Sequence, residues 1–103
     1  MTGRTEKIVV GDEKHIAHFT TYADGTENAA IQTYDEFGLP YCRPTCNPGY
    51  KLDDNIIAVR DDKMEWIGET VQALESAGLI EKLQPVQQIE VGFATATLYK
   101  IIE

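Results

Sequence analysis

The chain has 103 residues, 43% of them hydrophobic, and a formal net charge of −8 from 17 acids against 9 bases. That length suits a single domain, 1–103, with one core, and the composition excludes a disordered chain. No apolar run approaches the ~20 residues of a membrane span, no cluster of Lys and Arg offers itself to phosphate, and the opening MTGRTEKIVV lacks an apolar leader segment. The expectation is a cytoplasmic protein that binds neither nucleic acid nor membrane directly.

EKIVV, ended by Gly11, predicts a first strand at residues 6–10. GDEK is a polar turn. HIAHFTTYA carries Ile16, Phe19 and Tyr22 beside Thr20 and Thr21, and predicts a second strand at 15–22. Asp24-Gly25 suits the positive φ of a tight hairpin turn. NAAIQTYD predicts a third strand at 28–35, with Ala29, Ile31 and Thr33 on one side and Ala30, Gln32 and Tyr34 on the other. EFGLP is a turn built on Gly38 and Pro40. YCRPTC predicts a fourth strand, placed at an edge because Pro44 has no N–H for a ladder. IIAVR is nearly all apolar and predicts a fifth strand buried on both faces.

The helix has the clearest signature. Asp62 stands three residues before Glu65, an Asp form of the capping box, and Asp61 adds negative charge at the start. Met64, Ile67, Val71 and Leu74 recur at helical spacing. Trp66, Thr70, Ala73 and Ala77 widen that stripe, opposite Glu65, Glu69, Gln72 and Glu75. Gly78 fits a left-handed terminator followed by Leu79. Gly68, inside the helix, suggests a close approach to the sheet. GLIEKLQPVQQIEVG has no clear period, and FATATLYKIIE alternates as a final strand. The sum is α+β, in the order β-β-β-β-β-α-β: one twisted antiparallel sheet of about five to six strands with a helix on one face.

Chemistry is sparse. In a regular strand the Cα atoms of Cys42 and Cys46 would lie ~13 Å apart at about 3.3 Å per residue, too far for a disulfide. With His15 and His18 they make a zinc-compatible ligand set, but a regular strand turns the two His to opposite faces. The alternatives are small buried thiols, a zinc site, or a nucleophilic Cys paired with His18. No nucleophile elbow, phosphate loop or HExxH is present, so no catalytic residue and no cofactor is assigned. In an antiparallel meander alternate turns share one end. Asp12, Glu13, Asp35, Glu36, Asp61 and Asp62 would then gather at one pole and suit a basic protein partner.

YADG from Tyr22, GLPY from Gly38, the stretch YKLDDNIIAVR, ALESAGLIEK from Ala73 and the late Gly92 together resemble a family of small bacterial proteins carried on plasmids and other mobile elements, a domain of unknown function. The resemblance covers roughly residues 20–102. It implies an accessory protein of a plasmid, phage or other mobile element. The expected function is therefore a non-enzymatic acidic protein-binding domain. One version is an anti-restriction or anti-CRISPR inhibitor that offers acidic surface to a nucleic-acid-binding protein. A thiol-dependent enzyme or zinc protein using Cys42 and Cys46 is the competing class.

Overall fold

Val10 and Glu13 close the first hairpin, joining β1 (Thr5–Val10) to β2 (Glu13–Thr21) through Gly11 and Asp12. Gly11 has φ 65, the positive value that a two-residue hairpin loop demands at its first position. The computed structural model describes residues 3–61 and 64–102. β3 (Ala29–Tyr34) and β4 (Pro40–Cys42) complete a four-stranded antiparallel sheet in the order β1-β2-β3-β4. The Asp24-Gly25 turn is real but longer than a tight hairpin, because β2 ends at Thr21 and β3 starts at Ala29. Asp24 Oδ1 accepts from the Thr26 N–H at 3.0 Å and from its hydroxyl at 2.7 Å, which organises the loop locally.

The predicted fourth strand is two strands. After Cys42 the chain leaves the first sheet, and β5 (Thr45–Cys46) begins a second one. Pro44 makes the break: it has no N–H to continue a ladder, while its carbonyl accepts from the Arg60 N–H at 2.9 Å. The second sheet adds β6 (Ile56–Arg60), β7 (Ile80–Lys82), β8 (Gln88–Val91) and β9 (Ala94–Ile101). Its order is β5-β6-β9-β7, with β8 also paired to β9. The α+β class stands, with two antiparallel sheets in place of one. The segment without a clear period supplies β7 and β8.

Helix α1 (Glu65–Ser76) buries Ile67, Thr70, Val71, Ala73 and Leu74. Met64, Trp66 and Ala77 lie outside that buried face; Met64 and Trp66 are each 47% exposed. The expected capping box does not form, because Glu65 is the first helical residue and Met64 holds the cap position without a side-chain hydrogen bond. Asp62 lies outside the described residues. The C-terminus is as expected: Gly78 has φ 73, its N–H donates to Glu75 O, and the Leu79 N–H donates to Leu74 O, each at 3.0 Å. Gly68 is exposed, and a Cβ there would meet nothing within 4 Å, so no close approach requires it.

The helix and the facing sides of both sheets enclose the main core, from Phe19 and Ile31 through Ile57 and Val59 to Leu74 and Ile101. Complete burial of a side chain such as Leu74 stabilises by roughly 1.5–3 kcal/mol. β6 is covered on both faces as its apolar run implied: Ile57 and Val59 face the main core, and Ala58 joins Leu52, Ala96 and Leu98 in a second cluster. Among the described residues, no helix is long and apolar enough to cross a membrane.

Candidate functional site

A cleft of about 770 Å³ lies at the turn end of the first sheet, where β1 runs beside the C-terminal half of α1. Lys7, Ile8 and Val9 supply the strand side, and the small residues Ala73, Ser76 and Ala77 supply the helix side. Lys14, His15, Ile16, Tyr34, Asp35, Glu36 and Gly38 complete it. Strand alternation explains the mixture. Ile8, Val10, His15 and Ala17 point into the core and are buried, while Lys7, Val9, Lys14 and Ile16 occupy the opposite face. Two of those outward residues are apolar: Val9 is 60% exposed and Ile16 36%.

His15 is a buried polar group at the cleft wall. It is 1% exposed, its Nε2 lies 3.1 Å from Glu13 Oε1, and its ring meets Tyr41 edge-on at 4.5 Å. Among the described residues its Nδ1 has no hydrogen-bond partner. Partial burial foremost, and then the charges of Glu69 and Glu13, push the Tyr41 phenol above the usual range.

The turn between β3 and β4 forms the rim. Asp35 Oδ1 accepts from the Phe37 N–H at 2.9 Å and from the Leu39 N–H at 3.0 Å, so one carboxylate fixes the turn. The result holds two apolar side chains out to solvent: Phe37 is 80% exposed and Leu39 61%.

The acidic pole forms in part. The β1–β2 turn with Asp12 and Glu13 and the β3–β4 turn with Asp35 and Glu36 share one end of the first sheet, as the meander requires. Asp61 belongs to the second sheet instead. Its carboxylate accepts from Thr97 Oγ1 at 2.8 Å, from Thr95 Oγ1 at 3.3 Å and from Gln88 Nε2 at 3.2 Å, tying β6 to β9 and β8. Glu13 and Asp35 also have local tasks, at His15 and at the turn.

The thiols are separated by the crossing at Pro44. Cys42 is buried in the main core and Cys46 lies on the second sheet, and no disulfide joins them. Burial pushes the Cys42 thiol up, opposed by hydrogen bonding with Thr70 and by the charge of Arg60. Cys46 Sγ is 3.8 Å from the Ala58 carbonyl. His15 is buried and His18 half-buried, on opposite faces of β2. Among the described residues no group of three or more His, Cys, Asp or Glu side chains is placed to hold a metal. His15, His18, Cys42 and Cys46 are therefore not brought together. Sequence reasoning missed Lys7, Val9, Phe37 and Leu39. The readable signal was apolar Val9 and Ile16 on the face that carries Lys7 and Lys14.

No family model matches the chain, and no solved structure matches it. It is similar to glutamate 5-kinase of Proteus mirabilis (strain HI4320), at 29% identity over 80 residues. Those residues are 78% of this chain and 22% of that enzyme. The chain thus matches less than a quarter of the curated relative's length.

Proposed function

We propose that this chain is a non-enzymatic protein-binding domain that docks through the turn end of its first sheet. The observation that carries the reading is the β3–β4 turn: Asp35 holds Phe37 and Leu39 in solvent beside Glu36 and Gly38, which line the cleft. Exposed large apolar residues next to a concavity are what a partner surface desolvates. Asp12 and Glu36 at the same end favour a partner with basic residues at its rim. An accessory role for a plasmid, phage or other mobile element draws on the resemblance of the turn motifs. An inhibitor that shows acidic surface to a nucleic-acid-binding protein is the version that the net charge of −8 favours. Two cysteines outside any disulfide suit a reducing compartment. A thiol-dependent mechanism gains nothing from Cys42, since burial disfavours its thiolate.

Capture from lysate of the native host tests the reading. Phe37→Ser with Leu39→Ser, and separately Asp12→Lys with Glu36→Lys, should each abolish recovery of the specific partner while the far-ultraviolet spectrum is unchanged. Undiminished capture by both folded variants would refute docking at this end.

A further inference from the structure

One side of the cleft is the edge of β1, a row of backbone groups that no strand of the described residues covers. β1 ends the strand order of its sheet, and among the described residues no strand pairs with its outer side. The phase of its ladder is fixed by the Phe19 N–H, which donates to Arg4 O at 2.8 Å. Bonded and non-bonded pairs alternate along an antiparallel ladder. Glu6, Ile8 and Val10 therefore bond to β2, while Thr5, Lys7 and Val9 turn their N–H and C=O outward. Two of those three residues, Lys7 and Val9, line the cleft.

We propose that the cleft accepts an extended segment of a partner protein as an additional antiparallel strand on β1, with a carboxylate opposite Lys7. The inference rests on the protein-binding reading and specifies its mode. Another extended backbone matches a row of alternating donors and acceptors and can replace the water on it. The opposite wall is built of Ala73, Ser76 and Ala77, whose short side chains leave the cleft open along the strand. Charge complementarity selects the segment. Lys7 at the middle of the edge asks for an acid. An apolar residue two positions earlier in the antiparallel segment faces Val9, and a basic residue before that approaches Asp12. Lys7 also guards the edge, because a strand without a carboxylate there would desolvate the ammonium unpaired. A second copy of this chain is disfavoured on the same grounds: it would bring another Lys7 to the edge, and two chains of net charge −8 repel.

The test uses the full chain and a phage-displayed library of random nonapeptides. The expected consensus is basic, apolar and acidic residues spaced by two, with the acid required. In the synthesised consensus peptide, N-methylation of the acidic residue removes a bond to Lys7 and should weaken binding about tenfold or more. N-methylation of either neighbour, whose N–H points away, should leave binding within about twofold. Lys7→Glu should abolish binding, and an acid-to-Lys change in the peptide should restore it. A library that yields no binder, binders indifferent to which N–H is methylated, or binders that Lys7→Glu does not affect would each overturn strand addition. Concentration-dependent dimerisation lost on Lys7→Glu would also overturn it, in favour of a second copy. If peptide binding fails while Phe37→Ser with Leu39→Ser still abolishes partner capture, strand addition falls and the protein-binding reading remains.

Discussion

Asn28 Oδ1 accepts a hydrogen bond from the Leu52 N–H at 2.8 Å, across 24 residues of chain. The Asn28 amide is 2% exposed, and its Nδ2 donates to Tyr50 O at 2.8 Å and to Asn47 Oδ1 at 3.1 Å. One side chain thus ties the loop before β3 to the loop before β6. Asn28→Ala leaves a buried N–H and a carbonyl without partners and should cost about 2–4 kcal/mol in urea unfolding. A cost below about 0.5 kcal/mol would mean that water replaces the amide at both loops.

The helix separates packing from propensity. Leu74 is fully buried, so Leu74→Ala should cost about 2–5 kcal/mol. Glu69 is exposed, and Glu69→Ala should change stability by well under 1 kcal/mol. Gly68→Ala should raise stability by up to about 1 kcal/mol, since a Cβ there has open space and helical backbone favours Ala. Thermal melts of the three variants check the order.

The buried thiol sets a sign for the alkaline limb. The Cys42 pKa is raised in the fold above its ordinary value of 9.0, chiefly by burial, and Tyr22 and Tyr99 are raised above 10.0 for the same reason. The unfolded chain then loses these protons first. On this account stability should hold between pH 7 and about 8 and fall as pH rises through 9 and 10. Cys42→Ala should flatten the first part of that fall. Urea midpoints from pH 7 to 10 would show it, and a midpoint that rises with pH would contradict the assignment.

The two turn acids should part company. Asp35→Ala removes the acceptor for two backbone N–H groups and should cost about 0.5–2 kcal/mol. Glu36→Ala should be nearly neutral for stability. Chemical denaturation of the pair, read beside partner capture, separates a residue that shapes the rim from one that contacts through it.

Much of this architecture is legible where one local rule decides. The alternation in β1 and β2, the existence of β3 and β9, the double burial of β6 and the Gly78 terminator all follow from period or from a single backbone requirement. The second sheet was hidden because its identity depends on pairing between distant segments. Nothing in YCRPTC says that Thr45 will lie beside Val59 while Cys42 lies beside Thr33. β7 and β8 escaped for a related reason: both are short, and both are strands because β9 is there to receive them. Asp61 read as surface charge, yet Thr95 and Thr97, more than thirty residues on, employ it. The cleft was half visible, since Val9 and Ile16 broke the polar face, but the small helix residues across from them need the tertiary fold to become a wall.

The crossing at Pro44 also divides the chain in time. All strands of the first sheet lie between Thr5 and Cys42 and pair with their neighbours in sequence, so their loops close quickly. The second sheet is arranged around β9, which pairs with β6, β7 and β8, each of them earlier in the chain. Its longest closure brings Ile56 to Lys100. Contacts of that span form slowly because their entropy is lost before they stabilise anything. The meander is thus set to serve as a nucleus, with substitutions such as Phe19→Leu slowing folding, while those in β9 mainly hasten unfolding.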